Sequence, residues 1–364
     1  MMKCFSIFHS KPARERCSPE AKDNNQPKKP KSATGLVKST GPVSSPRRIT
    51  EVYKDKDNKL KKFSFSELRD ATTNFNKLLK IGEGGFGCVY KARIRLCESQ
   101  TDPLVVAIKR LNRQSMQGHK EWQTELQFLG VVDHPNLVKL LGYCSVDGER
   151  MQRLLVYEYM PNKSLEVHLF NTNLPPIPWK TRLRILLGAA EGLDYLHQGM
   201  EIQVIFRDFK SSNVLLDEKF NPKLSDFGLA REGPQGDKSH VSTKPVGTYG
   251  YAAPEYTETG HLRSKSDVWS FGVVVFEILT GRRAVDRSLP KAQQKLTEWV
   301  KEFPVDSRNF WMIMDKRLNN QYSLDAARNI AKLGISCLYK NPDDRPTMSQ
   351  VVEGLRDAIA KSET

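Results

Sequence analysis

One short polar stretch, FRDFKSSN at residues 206–213, combines side-chain types that phosphate chemistry uses. Asp208 can accept a proton from an attacking hydroxyl group, and Lys210 can neutralise negative charge on a moving phosphoryl group. Asn213 can bind a metal ion through its amide oxygen. Asp226, in the tripeptide DFG, follows it by thirteen residues and is a hard oxygen donor suited to Mg²⁺. The spacing predicts a metal-dependent centre for phosphoryl transfer.

A glycine-rich segment, IGEGGFGCV, stands further upstream. Glycines at positions 82, 84 and 87 let backbone N–H groups approach a phosphate without obstruction by side chains. The residues after the third glycine continue as a strand and not as a helix, which disfavours a dinucleotide-binding fold. The segment by itself is equally compatible with an ordinary glycine-rich hairpin. The candidate nucleotide-binding residues here are Ile81, Gly82, Glu83, Gly84, Gly85, Phe86, Gly87, Cys88 and Val89.

A lysine ends the apolar run VAIK at residues 106–109. An unpaired buried charge is costly, so Lys109 must enter a cleft or pair with a carboxylate. Glu125 lies in the middle of an apolar helical pattern and is the candidate partner, although a plain surface glutamate is the alternative. Together the two residues would form the ion pair that directs a lysine at the α- and β-phosphates of ATP.

The elements that must position these residues follow from the hydrophobic periodicity. FSFSELRDAT at 63–72 predicts a short helix opened by a capping box of Ser64 and Glu67. Strands are predicted within 78–94, 104–111, 138–144 and 153–159, with one helix at about 117–131. Helical patterns then dominate at 179–197, 267–280 and 347–360. The sequence predicts a small sheet with one helix, followed by a mostly helical second part.

The front of the chain has a different composition. Residues 1–62 hold sixteen Lys and Arg against six Asp and Glu, so they contribute ten of the fifteen net positive charges. A segment rich in Lys, Pro and Ser buries too little apolar surface to offset the entropy of ordering it, and we predict that residues 1–62 are disordered. Six scattered cysteines form no C-x-x-C pair and indicate a reducing compartment.

The ordered motif set, completed by APE at 253–255, resembles a eukaryotic protein kinase domain. The resemblance implies an α+β, bilobal fold with a β-rich N-lobe and a mostly helical C-lobe. We therefore expect a basic tail over 1–62, an N-terminal extension over 63–74, a kinase domain over 75–358 and a short C-terminal tail over 359–364. The lobe boundary is expected between residues 160 and 161.

Three longer stretches resemble plant receptor-like cytoplasmic kinases, particularly subfamily VII: LVYEYMPNKSL, VIFRDFKSSNVLLD and GTYGYAAPEY. This resemblance implies a serine/threonine protein kinase that uses ATP with Mg²⁺, or alternatively Mn²⁺. It also implies protein substrates with Ser or Thr acceptors, an upstream receptor kinase at the plasma membrane and a role in plant signalling and defence.

Two other functions are alternatives to this one. A pseudokinase or scaffold would use the fold for partner binding, but such proteins usually lose one of Lys109, Asp208 and Asp226, which this chain retains. A nucleic-acid binder led by the basic tail has only charge in its favour, because the tail has few aromatic residues for base stacking. We expect no nucleic-acid partner.

Phe206 stands where kinases of this type most often have a histidine. The resemblance implies that this position packs against the Phe of DFG, in a column of Leu129, Leu140, Phe206 and Phe227, and takes no part in phosphoryl transfer. A phenyl ring fills the place and loses one polar contact, at a cost of about 1 kcal/mol. We therefore expect an active enzyme.

The resemblance also implies a regulatory loop between Asp226 and the APE motif. Arg207 would pair with a phosphate on this loop. The candidate acceptors are Ser239, Ser242 and Thr243, and an ordinary polar loop is the alternative. Thr248 is expected to contact Asp208 and Lys210, although it is also a candidate for phosphorylation.

Several structural roles are implied in the same way. Glu255 and Arg345 should form a buried ion pair, and Asp267 should hold the backbone of the stretch 206–213, the catalytic loop. Backbone groups from Glu158 to Met160 should bind adenine, with Val89 and Ala107 packed on its ring and Tyr157 behind the pocket.

Localisation signals are few. Met2 stands where N-myristoylation requires glycine, so that modification is not expected. Cys4 is a candidate for S-acylation, and the basic tail would add attraction to an anionic leaflet. We expect a cytoplasmic protein that is peripheral at the plasma membrane. The KKPK stretch at 28–31 leaves the nucleus as an alternative.

Overall fold

The structure is a computed structural model that describes residues 47–56, 60–84, 87–97, 101–112, 116–148 and 151–363. Cys4 and the whole of residues 1–46 lie outside the described residues, as do Gly85 and Phe86 of the glycine-rich segment.

The N-lobe is built on a six-stranded sheet in the order β1-β5-β6-β4-β3-β2. Neighbouring strands are antiparallel except β1, which pairs in parallel with β5. The predicted strands are therefore present, and β1 adds an edge that the sequence did not predict. The strands are β1 (Lys61–Lys62), β2 (Lys80–Gly84), β3 (Gly87–Ile94), β4 (Leu104–Leu111), β5 (Leu140–Val146) and β6 (Gln152–Glu158).

Two of the first three helices cover this sheet. Helix α3 (Met116–Leu129) lies where the periodicity predicts a helix, and the buried indole of Trp122 on it donates to the carbonyl of Leu154 in β6 at 3.2 Å. Helix α2 (Phe65–Ala71) begins with the predicted capping box, in which the Ser64 hydroxyl accepts from Glu67 N at 3.1 Å and the Glu67 carboxylate accepts from Ser64 N at 2.7 Å.

The prediction of disorder through residue 62 extends too far, because a helix α1 (Ile49–Lys56) and strand β1 precede the extension. Ile49 is only 3% exposed, and Val52 and Tyr53 pack against the same buried cluster. This spacing of apolar residues places them on one helix face. The net charge of residues 1–62 as a whole does not reveal this short amphipathic pattern.

The C-lobe is mostly helical, as predicted. Helix α7 (Ser264–Thr280) is buried along nearly its whole length and packs against α9 (Leu324–Cys337), while α5 (Trp179–Asp194) packs against α10 (Met348–Glu363). A π-helical turn, Tyr195–Gly199, continues α5. The helices are α4 (Leu165–Phe170), α5 (Trp179–Asp194), α6 (Pro254–Thr259), α7 (Ser264–Thr280), α8 (Leu296–Trp299), α9 (Leu324–Cys337) and α10 (Met348–Glu363).

Three short two-stranded antiparallel sheets lie between these helices. They pair β7 (Val204–Ile205) with β10 (Arg231–Glu232), β8 (Val214–Leu216) with β9 (Pro222–Leu224), and β11 (Val241–Ser242) with β12 (His261–Leu262). Short 3₁₀ helices complete the described structure, at Lys77–Leu79, Ser211–Asn213, Phe227–Leu229, Lys291–Gln293, Val300–Glu302, Phe310–Ile313, Lys316–Leu318 and Pro342–Asp344.

Within the described ranges, none of the helices has the length and apolar character needed to cross a bilayer.

Candidate active site

Lys109, on β4 of the N-lobe, contacts one carboxylate from each lobe. Alternation along β4 buries Val106 and Ile108 on one face and directs Ala107 and Lys109 to the other. The Lys109 Nζ atom lies 2.7 Å from Glu125 Oε2 on α3 and 2.9 Å from Asp226 Oδ1. The predicted ion pair with Glu125 is present, and the same ammonium also contacts the aspartate of DFG.

The charges of this cluster depend on each other. Burial alone would lower the pKa of Lys109, but the carboxylates of Asp226 and Glu125 raise it well above its usual value. Burial likewise opposes ionisation of Asp226, yet Lys109 outweighs it and lowers the pKa of Asp226. Lys109 and Asp226 are therefore both charged at physiological pH.

Two residues of the site have strained backbone. Arg207 has a φ angle of 74° and Asp226 one of 68°, in the left-handed region that non-glycine residues rarely occupy. Asp267 on α7 holds the first of these segments, because its carboxylate accepts from Phe206 N at 2.8 Å and from Arg207 N at 2.7 Å. A ring nitrogen of His197 lies 2.8 Å from the same carboxylate. Asp267 thus holds the backbone that leads to Asp208, as the sequence predicted.

Asp208 is surrounded by groups that fix its carboxylate. Lys210 Nζ lies 2.7 Å from Asp208 Oδ2, and the Thr248 hydroxyl donates to Asp208 Oδ1 at 2.7 Å. Lys210 also donates to the Thr248 hydroxyl at 2.8 Å. Asn213 Nδ2 donates to the Asp208 carbonyl at 2.9 Å. Residues from the catalytic loop and from the segment before APE therefore converge at one point, and the predicted contacts of Thr248 are present.

Phe206 is completely buried in the main hydrophobic cluster, which also contains Leu129 and Leu140. Its ring centroid lies 5.0 Å from that of Phe227, with the ring planes at 83°. This edge-to-face arrangement is favourable for aromatic pairs. The phenyl ring fills the position that a histidine usually takes. It carries no hydrogen-bonding group, so it makes no hydrogen bond to Asp208 or Lys210.

The regulatory loop between Asp226 and the APE motif, called the activation segment below, contacts Arg207. The Arg207 guanidinium donates to the Tyr256 hydroxyl at 2.7 Å, the Lys244 carbonyl at 2.7 Å and the Thr243 hydroxyl at 3.2 Å. All three acceptor groups are uncharged. Ser242 is exposed on β11, and the Ser239 hydroxyl lies 3.1 Å from a ring nitrogen of His240. Of the three predicted phosphate acceptors, Thr243 is the one in contact with Arg207.

Glu255 and Arg345 form the predicted ion pair beneath this segment. Two guanidinium nitrogens of Arg345 donate to the two carboxylate oxygens of Glu255, at 2.9 and 2.7 Å. Arg345 is only 2% exposed and also donates to the carbonyls of Tyr339 and Lys265. Such a bidentate pair combines strong attraction with fixed geometry.

The segment from Glu158 to Met160, called the hinge below, is held from both lobes. The Glu158 carboxylate accepts from Lys139 N at 2.8 Å and pairs with Lys223 at 3.0 Å, and Glu158 N donates to the Lys139 carbonyl at 3.1 Å. Val89 in β3 pairs in register with Lys109. Ala107 lies on the same face of β4 as Lys109, and Met160, the last residue of the hinge, is 8% exposed.

One buried network below the catalytic loop was not predicted. The Tyr251 hydroxyl and Ala284 N both donate to Glu277 Oε1, at 2.7 and 3.0 Å. Glu277 is fully buried on α7, and burial raises its pKa from 4.5 to about 7. Its position in an apolar helical run was the available sequence signal. Tyr256 was missed as well, because its contact with Arg207 spans 49 residues of sequence.

Fold and site together define a bilobal phosphotransferase. Residues 75–354 match the family model described as protein kinase domain, and the chain belongs to the protein kinase family.

Three proteins from Arabidopsis thaliana are similar in sequence to this chain over most of its length. It is 53% identical to "Probable serine/threonine-protein kinase PBL20" over 99% of this chain and 97% of that protein. It is 54% identical to "Serine/threonine-protein kinase PCRK1" over 83% of this chain and 73% of that protein. It is 51% identical to "Serine/threonine-protein kinase PCRK2" over 91% and 78% of the two chains.

These findings confirm the predicted fold class and the predicted enzyme class, a serine/threonine protein kinase that uses ATP and a divalent metal on protein substrates. They favour an enzyme over a pseudokinase or scaffold.

The network around Glu277 predicts a pH dependence of stability. Because the folded-state pKa of about 7 exceeds the ordinary 4.5, the folded protein binds more protons than the unfolded chain between these values, and stability falls as pH rises through this window. Glu277→Gln should remove this loss, which is on the order of 3 kcal/mol. Urea unfolding of both proteins at several pH values from 5 to 8 measures the difference.

Glu298→Gln is the matched control, since Glu298 is an exposed glutamate that pairs with Lys301. Its profile should run parallel to that of the wild type. Parallel profiles for Glu277→Gln as well would show that Glu277 does not titrate in this range.

Proposed function

We propose that the protein transfers the γ-phosphoryl group of Mg²⁺-ATP to Ser or Thr hydroxyls of protein substrates. The observation that carries this proposal is the contact of one ammonium group, that of Lys109, with both Glu125 and Asp226. Lys109 then neutralises the α- and β-phosphates, while Glu125 fixes its direction.

Asp208 is the proton acceptor in this proposal. Its two carboxylate oxygens already accept from Thr248 and pair with Lys210, so the carboxylate is oriented before the substrate arrives. Lys210 stabilises the negative charge that spreads over the phosphoryl oxygens during transfer. Both groups are less than a tenth exposed, which strengthens their electrostatic effect.

Asn213 and Asp226 are the proposed metal ligands. Asn213 Nδ2 is committed to Asp208, which leaves its Oδ1 as the metal-binding atom. A carboxylate and an amide oxygen form the hard donor set that Mg²⁺ prefers, and Mn²⁺ accepts it too. When bound, the metal neutralises charge on the β- and γ-phosphates.

The nucleotide itself is proposed to lie between the glycine-rich segment and the hinge. Val89 and Ala107 would pack on the adenine ring, and backbone groups from Glu158 to Met160 would accept and donate its hydrogen bonds. The segment 81–89 would cover the phosphates through its N–H groups.

Asp208→Asn should lower the rate of phosphoryl transfer at least ~100-fold, because an amide cannot accept the substrate proton. Phe206→His should leave the rate within several-fold, because residue 206 packs against Phe227 and does not touch the reacting groups. Incorporation of labelled phosphate from Mg²⁺-ATP into a Ser/Thr peptide library measures both. The reverse pattern would contradict the assigned roles.

We also propose that a phosphate on Thr243 orders the activation segment. Burial lowers the pKa of the Arg207 guanidinium, and its hydrogen-bond partners are uncharged, so a phosphate at Thr243 would supply the missing anion. Autophosphorylation and an upstream receptor kinase are both compatible sources.

Thr243→Ala should lower activity several-fold after preincubation with ATP, because the phosphate that pairs with Arg207 is lost. Ser239→Ala is the matched control and should leave activity unchanged, since that hydroxyl contacts His240 and not Arg207. Phosphopeptide mapping together with kinase assays measures this. Equal activity of Thr243→Ala and the wild type would contradict the proposal.

Signalling downstream of a plasma-membrane receptor kinase is the proposed setting, and the similarity to kinases named PBL and PCRK supports it. Peripheral attachment is proposed through Cys4 and the basic tail, each lysine near an anionic leaflet adding ~1 kcal/mol. Import into the nucleus through KKPK is the competing proposal.

A fluorescent fusion carrying Cys4→Ser should move from the cell periphery to the cytoplasm, because one acyl chain contributes a large part of such attachment. Cys17→Ser is the matched control and should keep the peripheral signal. An unchanged distribution of Cys4→Ser would remove acylation from the proposal, and a nuclear signal for the wild type would favour import.

A further inference from the structure

Helix α1 precedes the kinase domain in sequence, yet it contacts parts of the domain that are far from it along the chain. Ile49 N donates to Glu232 Oε1 on β10 at 2.8 Å, across 183 residues. Arg47 Nη1 lies 3.6 Å from Glu201 Oε2, in the loop after the π-helical turn. The Ile49 side chain is 3% exposed, within the main hydrophobic cluster. The first turn of α1 is thus attached to the C-lobe.

The second turn of α1 contacts the end of α3. A Cβ atom placed on Gly130, directly after α3, would lie 2.5 Å from Tyr53 Cε2. Real Cβ atoms do not approach other atoms so closely, so the tyrosine ring packs directly on the backbone where α3 ends. Glycine at position 130 permits this contact, and α1 and α3 pack together along it.

These two attachments are close along the chain to the two carboxylates that hold Lys109. Glu125 is on α3, five residues before Gly130, and β10 begins five residues after Asp226. The segment between Asp226 and β10 also touches α3, because a Cβ atom on Gly228 would lie 3.1 Å from Glu121 Cβ. Helix α1 therefore bridges the two elements whose relative position decides whether Lys109 can contact Glu125 and Asp226 together.

The hydrogen bond from Ile49 N also stabilises the contact between α1 and β10. The first N–H groups of a helix have no partner within the helix, and a carboxylate placed there interacts favourably with the helix dipole. Glu232 supplies that carboxylate from β10. Tyr53 packs on α3 at the same time, so both contacts of α1 are made together at the present spacing of α3 and β10.

We propose that α1 is an intramolecular positioning element, in which Ile49 and Tyr53 fix α3 against β10 and so favour the arrangement that pairs Lys109 with Glu125. The inference rests on the catalytic role proposed for that pair. Ile49, Tyr53 and Glu232 are positioning residues in this scheme, because they touch neither nucleotide nor substrate. An element that binds one arrangement better than others shifts the population toward it.

The test uses the full chain with single substitutions. Ile49→Asp places a charge in the buried contact, and Glu232→Ala removes the acceptor for Ile49 N. Ile49→Val keeps the apolar contact, and Lys54→Ala changes an exposed residue on the opposite face of α1. Steady-state kinetics with varied ATP are combined with hydrogen exchange of peptides from α3 and from α7.

Ile49→Asp and Glu232→Ala should each lower kcat/KM for ATP roughly five- to twentyfold, the range of an ordinary coupling between sites. Hydrogen exchange should rise in α3 and in the segment 226–235 and stay unchanged in α7. Ile49→Val and Lys54→Ala should match the wild type in both measurements.

Three results would overturn the proposal. One is unchanged kinetics in a folded Glu232→Ala protein, and another is exchange that rises equally in α3 and α7, which would indicate a general loss of stability. The third is a Lys54→Ala defect as large as that of Ile49→Asp. A wild-type protein that lacks activity would instead contradict the proposed function, and the exchange data would still report whether α1 positions α3.

Discussion

The contact of the Lys109 ammonium with two carboxylates is the interaction on which the other features of the site depend. Glu125 comes from α3 and Asp226 from the segment that opens the activation loop, so three separate elements must meet within 3 Å of one nitrogen. A buried ion cluster of this kind is stable only when each member keeps its partners. The N-lobe helix, the strand β4 and the C-lobe are therefore coupled through one charge.

A second constraint holds the catalytic loop. The left-handed backbone at Arg207 is strained. Asp267, on a helix buried in the C-lobe, holds it in place, because its carboxylate accepts from the N–H groups of Phe206 and Arg207. The same backbone turn directs Phe206 into the core and Asp208 toward the cleft. Packing against Phe227 explains why an aromatic residue without a ring nitrogen is compatible with this position. The side chain at 206 contributes shape, and the chemistry is assigned to its neighbours.

Part of the fold and of the site could be predicted because it depends on local sequence patterns. The capping box at Ser64 depends on residues three apart, and the strand with Lys109 depends on simple alternation, so both were predicted correctly. The spacing of the motifs indicated a kinase fold, which the family match confirms. The helix α1 was missed because a single turn of apolar residues has little weight inside a basic segment. Its partners, Gly130 and Glu232, lie far away in sequence and carry no local signal.

The sequence by itself determined the order of the elements, the enzyme class and the residues from which a phosphotransferase is built. These follow from periodicity and from side-chain chemistry at short spacing. Only the tertiary structure decided that Thr243, and neither Ser239 nor Ser242, contacts Arg207. It also decided that Glu277 is buried with Tyr251 and that α1 joins α3 to β10. Such contacts form between residues distant along the chain, and burial, which sets their energies, exists only after the whole chain has packed.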